Sequence, residues 1–216
     1  MPKPKKKRRL TSSFELQLLR KGYSRIVGID EVGRGAWAGP VVVSGFVFGT
    51  SSKIRRGVDD SKRLTRVKRE KLQCLLSDDE HLTLAGGLEC INTSGVGKTV
   101  ERKIFEIIEN FQSPETFFLI DGRFATNFGE NTMQIIGGDM LHYSIASASI
   151  LAKVFRDKLM RDLHKDYRHY GFNSNVGYPT PHHLKALDTH GASELHRKSF
   201  KPISEMLSQL KIGINE

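Results

Sequence analysis

An α/β fold is expected of this 216-residue sequence on three grounds. Short runs rich in β-branched and aromatic residues come first, helical patterns alternate in the middle, and helical patterns dominate the end, as in one layered body. The longest helical signal, residues 143–167, carries Ile145, Ala148, Ala152, Phe155, Leu159 and Leu163 at alternating spacings of three and four, which marks a buried stripe. Three acids follow apolar, strand-like stretches: Asp30 after Ile26, Val27, Gly28 and Ile29; Asp121 after Phe117, Phe118, Leu119 and Ile120; Asp139 after Ile135, Ile136, Gly137 and Gly138.

Each element has its own local signal. Residues 14–19 pattern as a short helix and 25–29 as a first strand, followed by a Gly-rich turn over 30–40 and a second strand over 41–48. A polar, basic loop covers 51–64. Thr65 can cap a helix through Leu76, with Val67, Leu72, Leu75 and Leu76 largely on one face. Residues 81–91 read as strand with a break at Gly86-Gly87, and a helix runs from Thr93 or Ser94 to about Phe111. Strands follow at 116–120 and, briefly, at 133–136. Beyond the long helix, residues 168–181 form a loop rich in Gly, Asn, Pro and aromatics, and short helices cover 182–188 and 203–210. No internal repeat and no long linker divides the chain. The expected organisation is a basic, disordered tail over 1–13 and a single domain over 14–216, with a helical C-terminal part from about residue 168.

Composition narrows the function. Apolar runs are too short to span a bilayer, and the basic N-terminus runs into Thr11, Ser12 and Ser13 rather than a signal-peptide stretch, so a cytoplasmic protein is expected. Cys74 and Cys90 lack metal or redox spacing and read as ordinary buried thiols. The formal net charge is +10. Six of the positive charges are Lys3, Lys5, Lys6, Lys7, Arg8 and Arg9, and without them 28 cations face 24 anions. A basic tail on a mildly basic body tilts the partner towards nucleic acid.

Singly, the acids have bland readings: Asp121-Gly122 is a good turn, Asp139 could cap a helix, and Glu31 could be solvated. Together, each close pair would repel by roughly 4 kcal/mol at an effective dielectric near 20. A divalent cation offsets that, and oxygen ligands suit Mg²⁺ or Mn²⁺. Two other patterns invite weaker readings. Asn92 to Thr99, NTSGVGKT, is one glycine short of a phosphate-binding loop. His182, His183 and His190 lack matched ligands at zinc spacing.

Gly28 to Pro40, GIDEVGRGAWAGP, resembles the signature of ribonuclease HII, the type 2 ribonuclease H family. Asp60-Ser61-Lys62-Arg63-Leu64 resembles the family's Asp-Ser-Lys motif, Phe118 to Gly122 its strand with terminal Asp-Gly, and Ser147 to Asp157 its central helix. Gly177-Tyr178-Pro179-Thr180 with His183, and His196 to Phe200, resemble its C-terminal motifs. Ala36 to Pro40 is closer to this branch than to the type 3 enzymes, whose extra N-terminal domain finds no room here.

The resemblance implies a ribonuclease H-like fold, a central mixed β-sheet flanked by helices, with a helical C-terminal extension. It implies an endoribonuclease that hydrolyses the RNA strand of RNA–DNA hybrids and nicks DNA at embedded ribonucleotides, leaving 3′-hydroxyl and 5′-phosphate ends. Asp30, Glu31, Asp121 and Asp139 match its metal-binding catalytic acids, with two Mg²⁺ or Mn²⁺ ions during catalysis. Gly33, Arg34 and Gly35 match the loop that contacts the ribonucleotide, and Tyr178 the tyrosine that senses its 2′-hydroxyl. Lys62 and Ser149 match substrate-contact or support positions. The basic loop with Lys53, Arg55, Arg56, Lys62 and Arg63 would hold phosphates without reading sequence. The expected partners are hybrid duplex and ribonucleotide-containing DNA, the expected state a monomer away from membranes. One departure stands out: where the family often has Lys-Gly-Asp, this chain has Gly137-Gly138-Asp139. Asp157 is the rival for that ligand position, although its place one helical turn after Lys153 reads as an ion pair.

Overall fold

A computed structural model describes residues 10–212, so the basic segment from Lys3 to Arg9 lies outside the described residues. In chain order the elements are α1 (Ser13–Arg20), β1 (Arg25–Val32), β2 (Val41–Gly49), α2 (Arg66–Leu76), β3 (His81–Gly86), α3 (Leu88–Phe111), β4 (Thr116–Asp121), β5 (Thr132–Ile135), α4 (Tyr143–Leu163), α5 (Phe172–Asn175), α6 (Pro181–His190) and α7 (Lys201–Ile212). Short 3-10 turns occur at Gly138–Met140 and Arg168–Tyr170. The strands form one mixed sheet in the order β3-β2-β1-β4-β5, as expected of an α/β chain. No helix among the described residues is long and apolar enough to cross a membrane. The chain separates into two compact units.

The first unit comprises the chain up to Glu31, Val43–Thr83 and Ile104–Val154. Ile26 of β1, Phe46 and Phe48 of β2 and Leu119 of β4 share a core with Leu72 and Leu76 of α2 and with Tyr143, Ile145 and Ala148 of α4. A Cβ at Gly28 would lie 2.2 Å from the carbonyl carbon of Ser144, so β1 and α4 can approach this closely only with glycine at that position. The start of α4 is fixed from a distance. Glu15, fully buried on α1, accepts hydrogen bonds from the Ser144 N–H (2.9 Å) and hydroxyl (3.0 Å). A carboxylate at this end of a helix also meets the positive end of its dipole.

The second unit comprises Val32–Val42, Leu84–Lys103 and the chain from Phe155. Its core gathers Ala38, Met160, Tyr170, Phe172, Ala186, Leu187 and Ile203. Pro181 opens α6, and Thr180 caps it by accepting from the His183 N–H at 3.2 Å.

Several expectations are corrected. The segment expected to stay extended to Ile91 turns helical at Leu88, so Gly86-Gly87 is a strand-to-helix switch. α3 continues past it and is interrupted only at Gly95 (φ 82°, ψ 159°). Asn92 to Thr99 is therefore two helical pieces meeting at Gly95, and the Thr99 hydroxyl is used internally, donating to the Gly95 carbonyl at 2.8 Å. On α2, Leu72 and Leu76 are buried while Val67 and Leu75 are exposed. At 3.6 residues per turn the first two lie about 40° apart and the others fall well off that line. On α4, Phe155 is 45% exposed and Arg156 beside it is 0% exposed, the reverse of the apolar pattern. Cys74 is exposed and Cys90 half-buried, so neither is a core thiol.

The histidines do not form a metal cluster. His183 and His196 are fully buried, with their Nε2 atoms 3.0 Å apart. His183 Nδ1 must donate to the Tyr178 carbonyl (3.0 Å), which leaves its Nε2 as an acceptor. His196 then donates through Nε2, and its Nδ1 accepts from the Ser193 N–H at 2.9 Å. Only the neutral pair satisfies this chain. Burial, then the neighbouring His183, pushes His196 down from 6.5 to about 4, and burial also lowers His183. The unfolded chain protonates these rings first, so their contribution is fully present above pH 6.5 and is lost as pH falls towards 4. The loss at His196 amounts to about 3 kcal/mol. Melting curves should show this decline in the native protein, and His196→Asn should flatten it while lowering stability at neutral pH.

Candidate active site

The register of the parallel strands builds the acidic cluster. β1 pairs with β4 so that Ile29 lies opposite Ile120, which sets Asp30 and Asp121 at the same level on the C-terminal edge of the sheet. β5 pairs with β4 so that Asp121 faces Ile135. The chain then turns through Gly137 in the left-handed conformation and enters the 3-10 turn that carries Asp139. The Gly138 N–H donates to Asp121 Oδ1 at 2.7 Å, tying β4 to that turn. Side chains from three separate stretches of sequence are thus brought to the edge where open α/β sheets form their sites.

Burial and mutual repulsion dominate the electrostatics. Asp30 is held well above the usual carboxylate range by its burial, then by Glu31 and Asp121, with Asp139 adding to the effect. The Ser149 hydroxyl hydrogen-bonds Asp30 and works in the opposite direction. Ser149, matched to a substrate-contact or support position, is itself 2.9 Å from the Ser61 hydroxyl and hydrogen-bonds a candidate ligand. Asp139 is raised by burial, then by Asp121 and Asp60, and is pulled down by Lys62. The Lys62 ammonium lies 3.8 Å from Asp139 Oδ2 on a side chain that is 82% exposed. Burial would lower its pKa, but Asp139, Asp60, Asp30 and Asp121 outweigh that and raise it. Lys62 therefore brings a positive charge beside Asp139.

Asp60 was not singled out as a site residue by the sequence. It is buried, and its Oδ1 accepts from the Lys62 N–H at 2.9 Å, a side-chain turn that sets Lys62 in place. Aspartate before Ser-Lys was the available signal. The basic loop is less free than its composition suggested. Arg55 approaches Asp79 at 3.5 Å and Asp78 at 3.6 Å, and Arg63 pairs with Asp59 at 3.2 Å, while Lys53 and Arg56 are exposed.

The remaining expected residues lie in the second unit. Gly33 is buried at φ +93°, and a Cβ there would come within 2.3 Å of Arg156 Nε, so the turn requires glycine for both conformation and space. Arg34 and Gly35 are exposed beside it. The N–H groups of Trp37 (2.8 Å) and Ala38 (3.2 Å) both donate to the Gly177 carbonyl, which joins the Gly33–Gly35 segment to the segment carrying Tyr178. Tyr178 is half-buried, with its ring 5.4 Å from the Arg156 guanidinium. Asp157 is buried, and its charge acts on Arg156.

The acidic cluster suits a hard divalent cation by its donor chemistry: all oxygen, net negative, and costly to keep ionised without a counter-charge. Among the described residues no group of three or more His, Cys, Asp or Glu side chains already stands at the spacing of a complete ion site. The carboxylates are close enough to raise one another's pKa, and added positive charge is what would let them close further.

The sequence model of ribonuclease HII matches residues 27–203 of this chain. Ribonuclease HII of Chlamydia trachomatis serovar A (strain ATCC VR-571B / DSM 19440 / HAR-13) is 40% identical over 201 residues, covering 92% of each chain. The crystal structure of ribonuclease H2 from Pyrococcus horikoshii OT3 aligns with a TM-score of 0.73 at 23% identity, over 87% of this chain and 99% of that one. Bst-RNase HIII in complex with Mn²⁺ aligns with a TM-score of 0.65 at 19% identity, over 91% of this chain and 73% of that one. These structural likenesses agree with the mixed sheet and flanking helices described above, and the sequence matches show the family: the chain belongs to the ribonuclease HII family and is an endoribonuclease.

Proposed function

We propose that this chain is a metal-dependent endonuclease that hydrolyses the RNA strand of RNA–DNA hybrids and also nicks duplex DNA at single embedded ribonucleotides. On this reading it leaves 3′-hydroxyl and 5′-phosphate ends and works as a monomer in the cytoplasm. The observation that carries the proposal is the convergence of Asp30 with Glu31, Asp121 and Asp139, in which burial, then mutual repulsion, raises the Asp30 pKa. Asp30 and Asp121 would be the primary metal ligands, with Glu31 and Asp139 completing the set. Bound Mg²⁺ or Mn²⁺ supplies activation of the attacking water and stabilisation of the leaving 3′-oxygen. The Mn²⁺ complex of the related ribonuclease HIII supports that choice of ion.

The chain's own groups do the rest. Ser149 holds Asp30 by a hydrogen bond. Lys62, set by Asp60 and exposed at the rim of the acids, is available to a substrate phosphate. Gly33, Arg34 and Gly35 offer backbone that can approach a sugar closely, because no Cβ intervenes at either glycine. Tyr178 offers a ring for stacking and a hydroxyl for the 2′-oxygen that distinguishes RNA from DNA.

Incubating the protein with Mg²⁺ or Mn²⁺ and a duplex containing one ribonucleotide should give a single nick at that nucleotide. An uncut but bound duplex would instead make this a binding module. Asp30→Asn and Asp121→Asn should each lower nicking by at least roughly 100-fold with the fold retained, because the volume is kept and the charge lost. Near-normal nicking by either variant at saturating metal would remove that residue from the ligand set. At Tyr178, Ala should cost more than Phe, by about 1–3 kcal/mol if the ring stacks on the substrate. A fall in melting temperature large enough to explain the loss would return Tyr178 to a packing role.

A further inference from the structure

Two arginines are among the largest fully buried side chains in the molecule, both 0% exposed. Neither is explained by the acidic cluster, and both spend their donors on main-chain oxygens. Arg156 donates through Nε to the Pro40 carbonyl (2.9 Å), through Nη1 to Val176 (2.8 Å) and through Nη2 to Ala38 (3.1 Å). Arg197 donates through Nε to the Gly39 carbonyl (3.0 Å) and through Nη1 to Arg34 (2.9 Å), and its own N–H donates to Trp37 (2.8 Å). Its Nη2 is buried without a hydrogen-bond partner. The guanidinium of Arg156 also lies against Gly33 and under the Tyr178 ring.

We propose that Arg156 and Arg197 are positioning residues for ribonucleotide recognition: from beneath, they hold the Gly33–Gly35 turn and Tyr178 as one rigid surface. The proposal rests on the reading above in which that turn and Tyr178 meet the ribonucleotide. A planar guanidinium presents donors in fixed directions, so one side chain can set several carbonyls at once. Arg156 joins residue 176 to residues 38 and 40, and Arg197 joins residue 34 to residue 39 from a third stretch of chain. Both segments that would face the sugar are therefore fixed by bonds made on their inner side. Burying two like charges is costly. Burial, then the charge of Arg156, lowers Arg197 to about 9, so it stays protonated near neutral pH. A purely packing role would be served as well by apolar side chains, which need no satisfied donors. What apolar side chains cannot do is fix the directions of five carbonyls.

Lysine at either position keeps the charge, and hence the general attraction to phosphates, but loses the planar fork. Arg156→Lys and Arg197→Lys should therefore bind an all-DNA duplex as the native protein does. Against a duplex with one ribonucleotide, kcat/KM should fall by up to roughly 100-fold, as misplacement of a recognition group predicts. Binding preference, measured in an Asp121→Asn background to prevent cleavage, should shift towards equality between the two duplexes. Tyr178→Ala serves as the control for the underlying reading. If it leaves the preference intact, that reading fails whatever the arginines do. If it abolishes the preference while both lysine variants retain it, the reading stands and the arginine proposal is overturned. Equal weakening on both duplexes, or loss of the fold in both lysine variants, would assign the arginines to stability alone and equally overturn it.

Discussion

Repulsion between carboxylates held at one edge of a mixed sheet, beside its parallel strands β1, β4 and β5, is the constraint on which the site depends. Parallel pairing of β1 with β4 sets Asp30 of β1 level with Asp121, the last residue of β4. Turning the chain after β5 through Gly137 adds Asp139 to the same neighbourhood. A fold optimised for stability alone would not collect four acids and bury two of them, Asp30 and Asp139. The arrangement makes sense only with a counter-charge, and Lys62, at 3.8 Å from Asp139, supplies part of it. The close packing of α4 over β1 at Gly28 serves the same end, since it fixes the strand that carries Asp30 and Glu31.

The second unit solves a different problem with the opposite charge. Its exposed turn at Arg34 and Gly35 and its half-buried Tyr178 are short of secondary structure, and the proposed role in recognition would need them to be rigid. Hydrogen bonds from two buried guanidiniums, two N–H bonds to the Gly177 carbonyl, and the His196–His183–Tyr178 relay take the place of a strand or helix. Covalent continuity links this to the acids, because Glu31 and Gly33 are separated by a single residue.

The α/β class, the acid-bearing strand ends and the Thr65 cap were legible because each is written locally, in a run of apolar residues or a single capping side chain. Motif resemblance located Tyr178 and the Gly33–Gly35 turn, which no periodicity would have found. Illegible were the buried charges. The apolar spacing of residues 145–163 marks Phe155 for burial, whereas the burial of its neighbour Arg156 is decided by carbonyls more than a hundred positions away in sequence. No local pattern marks Glu15 as the partner of Ser144. Asp60 belonged to a recognised motif, but its turn onto Lys62 is a property of backbone geometry. For Arg156 and Glu15 a long-range hydrogen bond overrides the pattern that hydrophobicity alone would dictate.

If the acids at the sheet edge hold a divalent cation, its binding stabilises the native fold, which the melting temperatures of the native protein and of Asp30→Asn with and without Mn²⁺ measure. An ion bound at about a hundred times its dissociation constant should raise the native melting temperature by roughly 5–10 °C, and the variant much less. No rise in the native protein at saturating Mn²⁺, or an equal rise in Asp30→Asn, would contradict it.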